Sequence, residues 1–272
     1  MKKNEVITKD KKLFGMIHVK ALPGTPLNNL KFDEILELAL KEAETYSKYN
    51  FDGVIIENMW DVPYMKREVG PEIVSAMSII CYNIKNKFFK DKLVGVQILA
   101  GCNKASLAVA LTSGCDFIRA EGFVFGHVAD EGIFEADCGE LMRYRKNIGA
   151  DYIKVFTDIK KKHSSHSITS DVNIVDMCIN AEYFLSDGMI ITGNSTGKEV
   201  DDNELIEISK SKLKVPVLIG SGLTSENIRD FYYLADYFIV GSYFKKDGLW
   251  SNDLDEERII KFKTAYDILN KK

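Results

Sequence analysis

Short apolar runs and longer amphipathic runs alternate eight times along the 272 residues of this chain, and few folds accommodate that pattern. Strand-like runs fall at 14–19, 53–56, 93–99, 117–120, 152–157, 188–192, 215–219 and 237–240. Helical spacing of apolar residues marks 33–49, 71–88, 104–112, 138–147, 172–185, 202–212, 225–233 and 256–269. Turn chemistry agrees with these limits. Pro71 stands where a first helical turn tolerates it, and Gly114 and Gly149 follow helical runs where a left-handed cap is wanted. The strand-like runs are rich in Val and Ile and apolar on both faces, as parallel strands covered on both sides must be. Eight β/α units in about 260 residues match a closed (β/α)8 barrel. A doubly wound sheet would need a Gly-rich turn after its first strand, and GxGxxG is absent. The sequence therefore predicts an α/β fold, a single (β/α)8 TIM barrel over 13–272 behind an N-terminal extension, 1–12.

Composition narrows the partners. At 46% hydrophobic residues the chain is too apolar for a disordered one. Lys+Arg 36 against Asp+Glu 40 gives a net charge of −4, with no excess of cations to displace phosphate counterions. Nucleic acid and anionic membranes are not expected partners. No stretch approaches the roughly 18 apolar residues of a spanning helix, so no integral membrane segment is expected. The five cysteines (81, 102, 115, 138, 178) are odd in number and form no CxxC pair. That usage suits a reduced, cytoplasmic protein without a structural zinc site.

Active sites of such barrels lie at the C-terminal ends of the strands, so the polar residues just after each strand are the candidates. His18 ends the first strand, as an acid, base or ligand, or as a hydrogen-bonded core histidine. Glu57 follows the second, where an unpaired buried carboxylate would be costly. With Asp61 it could hold a divalent cation or share acid/base work. The structural alternative is that Asp61 caps a turn and Glu57 pairs with Arg119 or a lysine. Arg119 and Glu121 point the same way on a strand of period two. Phe123 and Phe125 would cover the mouth there, with His127, Asp130 and Glu131 as a lid. After the fifth strand comes Lys160-Lys-Lys162-His163. A lysine run is ordinarily a solvated face, but a barrel that forms a Schiff base or binds an anion places lysine there. Lys154, inside the strand, competes with Lys162 for that role, and periodicity does not settle which one faces inward.

The last three strands are followed by Gly193 to Gly197, Gly220-Ser221-Gly222 and Gly241-Ser242. Glycines let backbone N–H groups approach an anion, and hydroxyls add donors. The loops after strands seven and eight are the usual phosphate site of this fold. A helix beginning near Thr224 would add a positive N-terminus. Gly-built turns alone could explain one such loop; three in adjacent units point to a phosphate or phosphate-like group.

Several of these segments carry a family resemblance. Phe14-Gly-Met-Ile-His-Val-Lys-Ala-Leu-Pro-Gly-Thr-Pro26, Glu57-Asn58 with Asp61-Val-Pro63, Phe117-Ile-Arg119, Asp130-Glu-Gly132, Leu141-Met-Arg-Tyr-Arg145, Lys162-His163-Ser164, Thr192-Gly193 with Thr196-Gly197, and Val217-Leu-Ile-Gly-Ser-Gly222 resemble the BtpA family, also called BtpA/SgcQ. The likeness covers about residues 13 to 245. It implies a phosphate-binding TIM-barrel fold. It also implies kinship with a cyanobacterial protein needed for photosystem I accumulation and with bacterial members of sugar metabolism, but it brings no assigned reaction. Two places depart from the pattern. Gln97-Ile-Leu-Ala-Gly-Cys102 stands where many members carry an Asn-x-Leu-Arg-Asn-Asp run, and Ala120-Glu121-Gly122-Phe123 replaces a Val-Asn-Val type. Losing an arginine and an aspartate while gaining a glutamate would suit a different substrate.

The expectation is an enzyme acting on a small phosphorylated metabolite, a phosphosugar or nucleotide-derived sugar phosphate, by isomerase, lyase or hydrolase chemistry. Gly193, Gly197, Gly220, Ser221, Gly222, Gly241 and Ser242 would hold the phosphate. Glu57, Arg119, Glu121, Lys162, His163, His18 and Lys154 are the candidates at the reacting end. No cofactor is expected beyond a divalent cation at Glu57 and Asp61, and a homo-oligomer would be in keeping with the fold. The alternatives are a non-catalytic factor for a membrane complex and a sensor of a phosphorylated ligand.

Overall fold

The structure, a computed structural model, describes residues 11–193 and 202–270. Its elements in chain order are β1 (Lys12–His18), α1 (Phe32–Lys48), β2 (Gly53–Glu57), α2 (Pro71–Phe88), β3 (Leu93–Gln97), α3 (Asn103–Ser113), β4 (Phe117–Ala120), β5 (His127–Ala129), β6 (Gly132–Phe134), α4 (Cys138–Asn147), β7 (Lys154–Ile159), β8 (Ser164–Ser165), α5 (Ile174–Tyr183), β9 (Gly188–Thr192), α6 (Asp202–Lys210), β10 (Val217–Gly220), α7 (Ile228–Phe231), β11 (Tyr237–Val240) and α8 (Glu256–Asn270). Eight parallel strands close a barrel in the order β1-β2-β3-β4-β7-β9-β10-β11, with β11 pairing back to β1. The expected TIM barrel is the observed fold. No helix among the described residues is long and apolar enough to cross a membrane.

Three differences bear on the site. The segments after β4 and β7, read as loops, form a three-stranded antiparallel sheet, β6-β5-β8, turned by Gly132 at φ 99°. The fifth barrel strand starts two residues later than its apolar run, because Tyr152 is 63% exposed in the turn before it. The helix expected over 225–233 shrinks to the single turn α7. Asn227 folds back there, accepting the Thr224 N–H at 2.8 Å and donating to the Gly222 carbonyl at 2.9 Å. So short a helix has no aligned dipole to offer, and the expected positive N-terminus is withdrawn.

Every second strand residue faces the barrel axis. Phe14, Ile55, Phe117, Phe156, Ile190, Leu218 and Ile239 form a core of their own, apart from the layer between strands and helices. The rings of Phe14 and Phe117 stand 5.5 Å apart, and those of Phe117 and Phe156 4.8 Å. Glycines in strands make room for them. A Cβ at Gly188 would lie 2.7 Å from the Phe156 ring, and one at Gly95 would overlap Phe117. Overpacking of this kind typically costs about 1–3 kcal/mol. Gly95→Ala is expected to lower the melting temperature by several degrees, and adding Phe117→Leu should recover part of the loss in thermal melts of the two proteins.

At the opposite end from the mouth, an aspartate precedes every second strand. Asp52, Asp116, Asp187 and Asp236 each accept a backbone N–H near the start of the preceding barrel strand, from Leu13, Val94, Val155 and Val217, at 2.7–2.9 Å. These carboxylates join β1 to β2, β3 to β4, β7 to β9 and β10 to β11.

Candidate active site at the barrel mouth

The inward alternation that fills the barrel with apolar side chains ends on a polar layer. His18 pairs in register with Glu57, and Glu57 with Gln97, so neighbouring strands deliver polar groups at one height. On the far side β10 ends at Gly220 and β11 is followed by Gly241, and the missing side chains leave space. A cavity of about 230 Å³ opens there. His18, Glu57, Arg119 and Lys162 line one side, and Ser221, Gly222, Thr224, Gly241, Ser242 and Arg258 the other.

Arg119 meets neither Glu57 nor Glu121. It forms a two-pronged pair with Asp158, Nε to Oδ2 and Nη2 to Oδ1, both 2.8 Å, and the Asp158 side chain is 1% exposed. Asp158 lies on β7, facing inward beside Arg119, and a planar guanidinium fits a carboxylate fork. Desolvation works against the buried guanidinium, but the neighbouring Asp158 carboxylate holds its pKa above the usual value. Glu57 has no such partner. Burial raises its pKa against the pull of Arg119 and Lys162. His18 places Nδ1 3.2 Å from the Trp250 carbonyl and Nε2 3.9 Å from Glu57 Oε2. Burial and then the Lys245 charge push its pKa down to about 3. The ring is therefore neutral at pH 7. A carbonyl only accepts, so Nδ1 carries the proton and Nε2 presents a lone pair toward Glu57. Trp250 is steadied by Trp60 at 5.1 Å, and Lys20 stands 3.9 Å over the Trp60 ring.

The three consecutive lysines diverge. Lys160 and His163 adopt left-handed φ of 47° and 54°, which breaks any regular alternation. Lys161 turns to Glu121 at 3.1 Å, over the Phe134 ring. Lys162 reaches across the mouth to within 3.4 Å of Ser221 Oγ. Burial and then the Arg119 charge lower its pKa. Lys154 stands at the other end of the strand, half-exposed, 3.1 Å from Asp187. Its inward placement had rested on a strand beginning at Tyr152, so Lys154 leaves the site. Glu121 instead accepts from Gln97 Nε2 and Lys161 Nζ, both at 3.1 Å, beside the Phe134 ring, on which His127 stacks at 5.0 Å. Phe123 is buried in the strand–helix layer rather than over the mouth. His163 is exposed and does not line the cavity.

Of the residues expected to hold a phosphate, Ser221, Gly222, Gly241 and Ser242 line the cavity. Ser221 and Gly222 take left-handed φ of 77° and 70°. Gly241 is needed for closeness, since a Cβ there would stand 3.2 Å from Met16 Cγ and 3.5 Å from His18 Cε1. Gly193 and Gly220 do not line the cavity, and Gly197 lies outside the described residues. Sequence reasoning missed Arg258, whose Nε donates to the Tyr243 carbonyl and whose guanidinium lies 4.5 Å over the Tyr243 ring. A signal existed. Arg258 sits in the first turn of α8, where acids are favoured and a cation needs another reason to be.

Asp61 does not join Glu57. Its Oδ1 accepts the Leu22 N–H and its Oδ2 the Asn58 amide, both at 2.8 Å, which ties the loops after β1 and β2 together. Among the described residues no group of three His, Cys, Asp or Glu is arranged to hold a metal ion.

Comparison with known proteins follows the same lines. The model of the BtpA family matches residues 9–267. An uncharacterized nematode protein, F13E9.13 of Caenorhabditis elegans, described as mitochondrial, is 51% identical over 253 residues, 92% of this chain and 91% of its own. The photosystem I biogenesis protein BtpA of Synechocystis is 29% identical, over 92% of this chain and 86% of its own. Among solved structures, orotidine 5'-monophosphate decarboxylase of Methanocaldococcus jannaschii superposes with a TM-score of 0.58 at 17% identity, covering 94% of this chain and 98% of that one.

Proposed function

The chain belongs to the BtpA family, and from that premise we propose that it is an enzyme acting on a small phosphorylated metabolite at the barrel mouth. One observation carries the reading: a single cavity joins a corner of hydroxyls, glycines and Arg258 to the buried groups Glu57 and His18 and to Lys162. A factor that only assembled other proteins would have no use for that combination. Ser221, Gly222, Thr224, Gly241 and Ser242 would receive the phosphate oxygens, with Arg258 supplying charge. Arg119 is already neutralised by Asp158, so it steadies charge at the reacting end rather than capturing the anion.

Glu57, whose pKa burial raises, is suited to give a proton. Neutral His18 presents Nε2 as an acceptor, and a phosphate dianion bound beside it would raise its low pKa toward the range in which a base works. Two groups whose environments push them toward opposite roles are the usual mark of acid and base in one site. Proton transfer beside a carbonyl and carbon–carbon cleavage both match this pair. The volume suits a phosphorylated sugar better than an intact nucleotide.

Ligands that bind only the native state raise the melting temperature. At a hundredfold excess over Kd the gain is about 2.7 kcal/mol, or roughly 5–10 °C for a domain of this size. Inorganic phosphate and phosphorylated trioses and pentoses are the compounds to screen. Arg258→Ala should weaken phosphate binding about 10–100-fold, as loss of a charge-assisted hydrogen bond worth about 1.5–3 kcal/mol implies, with little change in the ligand-free melt. If no phosphorylated compound shifts the melt, the reading is wrong.

A further inference from the structure

Lys161 and Lys162 are neighbours in sequence with opposite surroundings. Lys161 is neutralised by Glu121. Lys162 is half-buried at the cavity wall and makes no ion pair with a carboxylate among the described residues; its contact is the neutral hydroxyl of Ser221 at 3.4 Å. Burial lowers the pKa of its amine and the Arg119 charge adds to that, against the pull of the Glu57 and Asp158 carboxylates, so the neutral form is reached more readily than in water. A neutral amine is a nucleophile toward carbonyls, whereas an ammonium ion is not. The same cavity wall holds Glu57, and the anion corner lies beside Ser221.

We propose that Lys162 attacks the carbonyl carbon of the phosphorylated substrate and forms an iminium with it. This rests on the phosphate reading of the site and names the substrate class within it: an aldehyde or ketone a few carbons from its phosphate. The Nζ lone pair forms the carbon–nitrogen bond as the carbonyl π pair moves onto oxygen, and one Nζ proton passes to that oxygen, giving a neutral carbinolamine. Glu57 then protonates the hydroxyl, which leaves as water, and the nitrogen lone pair closes the carbon–nitrogen double bond. Overall, the carbonyl, the neutral lysine amine and the Glu57 proton become iminium, one water and the Glu57 carboxylate, with no oxidant or reductant. The iminium draws electrons from the adjacent carbon, where His18 Nε2 is suited to receive the released proton. Arg258 and the hydroxyl corner serve the phosphate, which leaves Lys162 available for the carbonyl.

The test is reductive trapping of the full-length protein with glycolaldehyde phosphate and with dihydroxyacetone phosphate in the presence of sodium borohydride. Intact-mass measurement and peptide mapping locate the product. One adduct is expected, equal to the carbonyl compound less one oxygen, on Lys162 and suppressed by excess inorganic phosphate. It should be absent in Lys162→Arg and in Lys162→Met, and formed about 100-fold more slowly in Glu57→Gln, the lower end of what a general acid contributes. If the variants do not fold, the mapped site in the unaltered protein decides alone. Adducts on other lysines, or none while inorganic phosphate still raises the melting temperature, overturn the iminium and leave the phosphate reading standing. No adduct and no phosphate effect overturn both.

Discussion

Asp158→Ala is expected to lower stability by about 3–5 kcal/mol, because it strands the buried Arg119 guanidinium without its partner. At about 2–4 °C per kcal/mol for a domain of this size, the melting temperature should fall by roughly 6–20 °C. The pair is enclosed, with side chains 6% and 1% exposed, and both bonds are 2.8 Å. Neither solvent nor a neighbouring acid stands ready to replace the carboxylate, since Glu57 lacks the aligned fork. Replacing both partners with apolar side chains, Arg119→Met with Asp158→Leu, removes the stranded charge. It should recover much of the loss. Thermal melts of the single and double variants provide the check. A double variant no more stable than Asp158→Ala would mean that Arg119 is compensated elsewhere, with Glu57 the first suspect. The double variant should also raise the Glu57 pKa further, because Arg119 is the largest influence opposing its burial.

His18 should make the fold acid-sensitive. Its pKa is about 3 in the folded chain and 6.5 when exposed, so the unfolded chain takes up a proton first as pH falls. The contribution is fully present above pH 6.5 and is lost progressively toward pH 3, up to about 5 kcal/mol. His127, lowered to about 4 mainly by burial, acts in the same direction. Asp137, raised to about 6 by burial, acts in the opposite one, since the folded chain protonates it first. Whole-protein stability therefore mixes signs, and a variant is needed to isolate His18. In His18→Asn the side-chain amide still donates to the Trp250 carbonyl but carries no titrating group. The stability difference between the unaltered protein and this variant should move by about 4 kcal/mol in favour of the variant between pH 7 and pH 3.5. Urea denaturation at the two pH values measures it. Parallel losses in both proteins would show that the ring is not buried in its neutral form.

The eight-unit barrel was legible because buried parallel strands and amphipathic helices have different periods, and the alternation survives even where limits shift by a residue or two. The height rule found the mouth from His18, Glu57, Arg119 and the Ser221–Gly222 turn without any knowledge of the contacts. It failed where the backbone leaves regular geometry. The apolar run ends at Thr157, which leaves Asp158 outside the strand-like run. The strand continues to Ile159, and that places Asp158 inward beside Arg119. The left-handed residues Lys160 and His163 scatter the lysine run in a way no period describes. Arg258 reaches the cavity, and the Trp250 carbonyl reaches His18, from beyond β11, through a long connection with no apolar rhythm to anchor it. Asp52, Asp116, Asp187 and Asp236, each directly before a strand, are a repeat visible in the sequence whose role shows only in the backbone N–H groups they accept.

Those four aspartates stitch the strands two by two, and the joints between the pairs carry no such stitch. One unstitched joint lies between β11 and β1, where the first and last thirds of the chain meet. The cavity sits above it, with Gly241 on one side and His18 on the other. A ligand whose phosphate rests on the β10–β11 turns while its other end meets His18 and Glu57 would span that gap. It would act as the fifth stitch, and slowed hydrogen exchange along the β1–β11 ladder would be its trace. On this view occupancy of the site and closure of the ring are one event.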